Sequence, residues 1–262
     1  MTSSVEPLLR LSEIKVVFGS FTAVDGVDLS VAERELRFLI GPNGAGKTTL
    51  IDVITGRTRP SGGRVLFGGV DITGRREHAI VRAGIGRTFQ TATVFERLSV
   101  ADNVDLAASY RMGPLRLLRR RRGISDAVAA VLERVGLLRL ADRGAGVLSH
   151  GQRQWLEIGM LLAQQPRLLL LDEPVAGMSA AERERTGELL TEISADHTVV
   201  VVEHDMEFLR RYARDVTVLH EGRVLTEGTV ARVQADPRVQ EVYLGRDVRV
   251  AEPVAAGAVE VE

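Results

Sequence analysis

The hydrophobic positions of the chain follow two patterns that predict strands. Loosely alternating apolar and polar residues over 8–17 and 24–31 predict two strands near the N-terminus. Short runs that are almost entirely apolar, over 36–40, 167–172 and 198–202, predict strands buried on both faces, as in a parallel sheet. The sequence therefore predicts an α/β fold with a parallel-sheet core and an antiparallel β portion near the N-terminus.

Segments of helical character separate these strands. Helices are predicted over 49–54, 75–83, 127–138, 152–163, 180–194, 206–213, 230–235 and 239–244, and shorter strands over 64–67, 85–89, 216–219 and 223–225. Between residue 91 and about 146, Val and Ile become rarer while Leu, Ala and Arg increase, which indicates a helical insertion. We expect a single domain over 8–245, with a helical subdomain over about 91–163 and a disordered tail over 246–262.

A glycine-rich segment after the predicted strand 36–40 fits the phosphate-loop pattern G-x-x-x-x-G-K-[ST]. Glycines let several backbone N–H groups point at one spot, where the following helix adds its positive end. Lys47 supplies a charge for the β- and γ-phosphates of ATP, and the Thr48 hydroxyl supplies a ligand for Mg²⁺. The alternative is a glycine-rich turn that ends in Lys-Thr, but the flanking strand and helix favour a phosphate loop. The residues expected to bind phosphate are Gly41, Asn43, Gly44, Ala45, Gly46, Lys47, Thr48 and Thr49.

Two carboxylates follow the apolar run 168–171. Ligands bind at the C-terminal ends of the strands in open parallel sheets. Asp172 is expected to orient Mg²⁺ through water, and Glu173 to polarise the attacking water as a general base. The alternative is a pair of acids that cap a strand, but their presence beside a phosphate loop favours nucleotide chemistry.

A third segment, Leu148-Ser149-His150-Gly151-Gln152, precedes a predicted helix. With it the chain resembles the ATP-binding subunits of ABC transporters, whose signature is Leu-Ser-Gly-Gly-Gln, although His150 stands where the family has Gly. The resemblance implies that Ser149, Gly151 and Gln152 bind the γ-phosphate of an ATP held by the opposite subunit. A hydroxyl, a glycine N–H and a helix N-terminus together make an anion site. It also implies a head-to-tail dimer with two ATP molecules between the subunits.

Further positions match the family residue by residue. Phe18 resembles the aromatic residue that stacks on adenine, the alternative being a core aromatic at a strand end. Gln90 resembles the residue that contacts Mg²⁺ and the attacking water. His204 resembles the histidine that contacts the γ-phosphate and positions Glu173, the alternative being a structural histidine. Ser179 stands where most relatives have Asp, which leaves open how the two sites communicate.

Composition and charge narrow the class of protein. Of 262 residues, 45% are apolar and 26% charged, as in ordinary globular proteins, and the net charge of −1 gives no general attraction to nucleic acid or lipid. The absence of cysteine excludes disulfides and thiolate metal sites and fits a cytosolic protein. The apolar runs are too short to span a bilayer, and the first residues lack the pattern of a secretory signal. Any membrane role is therefore expected to come through a partner, and the basic run 119–122 is either a solvated face or a contact with lipid headgroups or that partner.

Around its motifs the chain is similar to the branched-chain amino acid and amide importer group. Segments 149–160, 172–178 and 201–208 resemble the ATP-binding subunit of the urea importer, and an ending like Tyr243-Leu244-Gly245 recurs in the group. The resemblance implies an ATP-hydrolysing motor for urea import, peripheral at the cytoplasmic face of the membrane. Its expected partners are integral-membrane permease subunits, a second ATP-binding subunit (identical or a sibling) and, indirectly, a substrate-binding protein; no nucleic-acid partner is expected.

Other functions stay open alongside urea import. The same motor would serve branched-chain amino acids or other amides, and similar ATPases export lipid or lipopolysaccharide. A soluble ABC ATPase that remodels nucleic acid or ribosomes usually has paired cassettes or long coiled coils, and the near-neutral charge does not favour it. A small-molecule kinase with a phosphate loop is disfavoured by the signature segment 148–152.

Overall fold

Two β-sheets and a set of helices form the described part of the chain, which in the computed structural model comprises residues 6–88, 94–109 and 123–244. Gln90, the basic run 119–122 and the tail 246–262 lie outside the described residues. The strands are β1 (Leu9–Phe18), β2 (Phe21–Val31), β3 (Leu36–Ile40), β4 (Gly62–Phe67), β5 (Val70–Asp71), β6 (Ile85–Arg87), β7 (Leu168–Asp172), β8 (Thr198–Val202), β9 (Asp215–His220) and β10 (Arg223–Thr229). The helices are α1 (Lys47–Ile54), α2 (Glu77–Ala83), α3 (Val100–Ser109), α4 (Asp126–Arg134), α5 (His150–Ala163), α6 (Ala180–Ser194), α7 (Met206–Tyr212), α8 (Val230–Ala235) and α9 (Pro237–Leu244).

The N-terminal strands form a four-stranded antiparallel sheet in the order β2-β1-β4-β5. A short turn joins β1 to β2, and Phe18 pairs with Phe21 across it. The second strand therefore begins at Phe21 rather than at Val24, where the alternation of apolar residues starts. The antiparallel β portion predicted from the sequence is confirmed.

A second, six-stranded sheet has the order β10-β9-β3-β8-β7-β6. Its neighbouring strands are parallel except for the pair β10 and β9, which is antiparallel. Because parallel strands end at the same edge, the residues that follow β3, β7 and β8 lie close together. The predicted parallel core is confirmed, and its carboxyl edge carries the loops with the candidate chemistry.

The central strands pack on both faces, which explains why their sequences are apolar throughout. In β8, Val199 and Val201 belong to a core that includes residues of α5 and α6. Val200 and Val202 belong to a second core, which includes residues of α1 and the antiparallel sheet. Every residue of β7 and β8 is buried. Continuous hydrophobicity in this chain therefore indicates a strand between two cores.

Helices α3, α4 and α5 pack against one another and form the described part of the predicted helical insertion. Helix α4 ends at Arg134, before the predicted end at 138, because Gly136 follows with a left-handed φ of 74°. Helix α5 begins at His150, before the predicted start at 152, because Ser149 caps it. The Ser149 side chain accepts the N–H of Gln152, and the Gln152 side chain accepts the N–H of Ser149.

Candidate nucleotide site

The phosphate loop connects β3 to α1 and ends in a helix N-terminus that no side chain caps. Gly46 is the N-cap residue, with a φ of 97°, and among the described residues no side-chain cap hydrogen bond forms at this helix start. A Cβ at Gly46 would lie 2.6 Å from the carbonyl oxygen of Ala23, so only glycine permits this close approach of the two backbones. The uncapped N–H groups and the positive end of α1 make a site for an anion.

Lys47 lies folded over the loop that precedes it. Its Nζ donates hydrogen bonds to the carbonyl oxygens of Gly41 (2.6 Å) and Pro42 (3.0 Å). Burial lowers the pKa of Lys47, and the charges of Glu173 and Asp172 oppose that shift. The ammonium group is therefore close to both the loop carbonyls and the acid pair, and phosphate oxygens can replace the carbonyls as its acceptors.

A cavity of about 230 Å³ lies at this edge of the sheet and brings the phosphate loop together with Asp172 and Glu173. Phe21 also lines the cavity and is 61% exposed, so much of its side chain is open to a ligand. Phe18, the residue predicted to contact adenine, is 53% exposed and lies opposite Phe21, outside this lining. The sequence does not distinguish these two aromatics, because both stand at the ends of one turn. The phosphate-loop residues in the lining are Asn43, Gly44, Ala45, Gly46, Lys47, Thr48 and Thr49.

Asp172 is the last residue of β7 and is only 2% exposed. The guanidinium of Arg87 contacts it, with 3.3 Å between Nη2 and Oδ2, and also forms an ion pair with Asp52 of α1. Burial raises the pKa of Asp172, and the charge and hydrogen bond of Arg87 oppose that shift. Neither Arg87 nor Asp52 belongs to a motif, so sequence reasoning misses this buried cation beside the predicted magnesium ligand.

Glu173 and His204, two of the residues predicted to take part in hydrolysis, lie close together at the end of the sheet. Glu173 has a φ of 50°, a left-handed conformation that is uncommon for a residue with a side chain, and its Oε1 lies 3.5 Å from the His204 Nδ1. The buried Glu203 accepts the N–H groups of Val175 (3.2 Å) and His204 (3.1 Å). Burial raises the pKa of Glu203, and these backbone bonds oppose the shift. Glu203 therefore connects the loop after Glu173 to the segment of His204, a role that no motif indicates.

The donor set of the cavity fits a hard divalent cation that binds together with phosphates. Thr48 and Asp172 both line the cavity, and Mg²⁺ prefers oxygen ligands. Within the described ranges, no group of three or more His, Cys, Asp and Glu side chains could hold a metal ion. A cation at this place would need further oxygens from phosphates and water, which is how Mg²⁺ usually binds at phosphate-transfer sites.

The signature segment lies apart from the cavity of its own chain. None of the described residues that line the cavity belongs to 149–152. The His150 Nε2 lies 3.0 Å from the Ala176 carbonyl oxygen, so this nitrogen carries a proton in the contact. Ser179 caps α6 with a reciprocal pair of hydrogen bonds. Both residues that depart from the family pattern therefore have local structural partners.

Gln90 is the predicted site residue that lies outside the described residues, so its contact with Mg²⁺ and water stays a prediction. In the ranges that the structure describes, no helix combines the length and hydrophobicity needed to cross a bilayer.

Two family models match the sequence. The model for the ABC transporter family matches residues 24–176, and the model named Branched-chain amino acid ATP-binding cassette transporter matches residues 223–249. The high-affinity branched-chain amino acid transport ATP-binding protein BraF of Pseudomonas aeruginosa is 36% identical over 251 residues, which cover 91% of this chain and 98% of that protein. The probable branched-chain amino acid transport ATP-binding protein LivG of Methanocaldococcus jannaschii is 35% identical, over 91% of this chain and 97% of its own length.

Solved structures share the fold. The ADP conformation of an ATP-binding cassette of an ABC transporter matches with a TM-score of 0.80 and 34% identity, over 91% of this chain and 99% of that one. A nucleotide-free ATP-binding cassette matches with a TM-score of 0.78 and 33% identity, over 90% of this chain and 98% of that one. The fold class predicted from the sequence is therefore confirmed.

Proposed function

Because this chain belongs to the ABC transporter family of ATP-binding cassettes, we propose that it is the ATP-hydrolysing motor of a membrane importer whose cargo is branched-chain amino acids. The observation that supports the motor most directly is the cavity where Lys47, Thr48, Asp172 and Glu173 meet. The second family model and the names of the relatives support the cargo. Urea, the cargo expected from the sequence, has no support among these relatives and becomes the second cargo to test.

The cavity residues have distinct roles in the proposed hydrolysis. The N–H groups at the start of α1 bind the phosphates, and Lys47 exchanges its two carbonyl acceptors for phosphate oxygens. Thr48 and Asp172 would hold Mg²⁺, which would supply positive charge to neutralise the phosphate oxygens. Glu173 accepts a proton from the water that attacks the γ-phosphorus, and His204 orients the Glu173 carboxylate. The bond to the bridging β–γ oxygen breaks, and ADP and phosphate leave.

A second ATP-binding subunit, identical or a sibling, completes each site in this proposal. The Ser149 hydroxyl, the Gly151 N–H and the start of α5 form an anion site outside the cavity of their own chain. The side chain of Gln152 supports this site through the helix cap. Head-to-tail pairing places each signature segment on the phosphates that the other subunit binds. ATP binding then closes the pair, and hydrolysis reopens it.

A groove of about 310 Å³ lies between α2, β6 and α5. We propose that a cytoplasmic helix of the permease occupies it, because an apolar groove fits the apolar face of an amphipathic helix. Arg87 lines the groove and also contacts Asp172, so one side chain connects the groove with the nucleotide cavity. The motor is then peripheral at the cytoplasmic face, and a substrate-binding protein acts on it only through the permease. The apolar lining residues are Ile80, Val81, Ile85, Phe95, Met160 and Leu161.

The test is uptake of labelled leucine and labelled urea by source cells that lack the gene. The cells are complemented with wild type, Lys47→Ala or Lys15→Ala; Lys15 is a half-exposed strand residue paired with Asp25 and serves as the matched control. We expect wild type and Lys15→Ala to restore leucine uptake and Lys47→Ala to fail. If uptake of urea is restored instead of uptake of leucine, the proposal of an ATP-hydrolysing motor stands, and the proposed cargo changes to urea. If loss of the gene affects neither cargo, the proposed import of both is wrong.

The role of Glu173 is tested separately on the purified protein. A positioned general base contributes about 10²–10⁴-fold to a rate, so Glu173→Gln is expected to lower the rate of ATP hydrolysis by at least about 10²-fold. Hydrolysis at the wild-type rate would show that Glu173 is not the base.

A further inference from the structure

The carboxylate of Glu182, in the first turn of α6, lies over the signature segment. Its Oε1 accepts a hydrogen bond from the Ser149 hydroxyl at 3.1 Å. Its Oε2 accepts the Ser179 N–H at 3.0 Å and the Ser179 hydroxyl at 2.9 Å. One carboxylate therefore joins the signature serine to the loop that follows Glu173.

The same carboxylate covers the signature glycine. A Cβ at Gly151 would lie 2.6 Å from the Oε1 of Glu182, so a side chain at this position would have to displace the carboxylate. The Ser149 hydroxyl and the Gly151 N–H are the groups expected to bind the γ-phosphate of a partner's ATP. Glu182 thus places a negative charge next to the two donors that an incoming phosphate needs.

Glu182 keeps its charge in this position. The backbone N–H and the hydroxyl of Ser179 hold the pKa of Glu182 below its ordinary value, with smaller contributions from Ser149 and from His150. The imidazole of His150 contacts the Ala176 carbonyl oxygen at 3.0 Å. The signature segment is therefore connected with the 176–179 loop directly by His150, and indirectly by Ser149 through Glu182 to Ser179.

We propose that Glu182 is a positioning residue that keeps the Ser149 hydroxyl engaged until the γ-phosphate of a second copy's ATP displaces it. This inference rests on the proposed pairing of two cassettes. A serine hydroxyl has one proton to donate, so Ser149 bonds either to Glu182 or to phosphate, and the two anions repel each other. Glu182 therefore raises the ATP concentration at which two copies associate. When the Ser149 hydroxyl bonds to the phosphate, Glu182 loses that hydrogen bond. Because Glu182 also bonds to Ser179, phosphate binding then affects the loop that begins at Glu173.

The experiment measures ATP-dependent association of purified protein by sedimentation, with Glu173→Gln as the background that blocks hydrolysis. Into it we introduce Glu182→Gln, which removes the charge but keeps a residue that serves at this position of a capping box. The matched control is Glu188→Gln, which removes a charge from the same helix at a residue that pairs with Arg185 and is 54% exposed.

We expect Glu182→Gln to associate at an ATP concentration about three- to a hundredfold lower than the Glu173→Gln background does. The range comes from the repulsion between two unit charges about 6 Å apart. The lower limit uses the dielectric constant of bulk water, and the upper limit uses that of a protein surface. Glu188→Gln is expected to leave the ATP concentration unchanged. Damage to the cap of α6 would act in the opposite direction, because a displaced first turn of α6 would no longer support Ser149 of the signature segment.

A second measurement repeats the titration at high salt. Salt screens exposed charges, so the difference between the Glu182→Gln variant and its background is expected to become smaller as ionic strength rises. If the background protein associates with ATP but Glu182→Gln needs as much ATP as Glu188→Gln or more, the inference about Glu182 is overturned and the pairing of two copies stands. If the background protein does not associate with ATP at any concentration, the pairing of two identical copies is wrong, and the role of Glu182 in it falls as well.

Discussion

The Arg87→Met substitution would leave two carboxylates without the cation that they share. The Arg87 side chain is 8% exposed and lies against the side chains of Asp172 and Asp52, which are 3% and 26% exposed. Removing one partner of a buried ion pair costs about 3–5 kcal/mol, because the remaining charge stays buried without compensation. We therefore expect Arg87→Met to lower the free energy of unfolding by about that amount.

Thermal unfolding followed by circular dichroism measures this effect. For a chain of this size, 1 kcal/mol corresponds to about 2–4 °C in melting temperature, so the expected decrease is roughly 6–20 °C. Arg185→Met is the control, because Arg185 is 39% exposed and pairs with Glu188 and Glu192 at the surface. Such exposed pairs contribute about 0–1 kcal/mol. If Arg87→Met melts within about 2 °C of Arg185→Met, the reasoning about the buried cation is refuted.

Two further predictions concern the nucleotide site. Burial raises the pKa of Glu203, so the folded state binds this proton more tightly than the unfolded state, and its stabilising contribution is lost as the pH rises above the ordinary value of 4.5. Denaturant unfolding should therefore show Glu203→Gln becoming more stable relative to wild type as the pH rises above 4.5, and a difference that does not change with pH would contradict this. Gly46→Ala should destabilise the protein more than Gly44→Ala, because both positions have a positive φ (97° and 83°), but only the Cβ at Gly46 meets a neighbour, the Ala23 oxygen at 2.6 Å. The expected difference is about 1–3 kcal/mol by the same assay, and equal stabilities of the two variants would show that the contact is relieved.

The hydrophobic pattern predicts the central strands of this fold more accurately than it predicts the first residues of the helices. The apolar run 198–202 predicts β8 with its observed bounds, because a strand between two cores has no polar face that could blur the pattern. Helix starts are set by local chemistry that periodicity does not report. Helix α1 begins at Lys47 rather than Thr49 because the loop turns into the helix at Gly46, and α5 begins early because of its Ser–Gln cap.

Motif spacing predicts the site residues whose chemistry is local, such as Lys47 and Asp172, and the structure brings these two into one cavity. It does not predict Arg87, Glu203 or Glu182. Their importance depends on burial and on contacts between segments far apart in the chain, which only the order of the strands determines. From the sequence of one segment alone, a charged side chain is expected to be exposed to solvent. Its burial can be predicted only when the neighbouring helices and strands are known.

The position of β3 in the sheet has a consequence for synthesis of the protein on the ribosome. Leu36 pairs with Val199 of β8, and Arg37 pairs with Asp215 of β9, so both neighbours of β3 lie in the last third of the chain. At about 5–20 residues per second, the ribosome needs roughly 8–30 s to pass from β3 to β8. During that time the nascent chain carries an apolar strand without its partners, and the loop after it has no sheet edge on which to form. ATP can therefore stabilise the folded site only after the ribosome has synthesised β8 and β9.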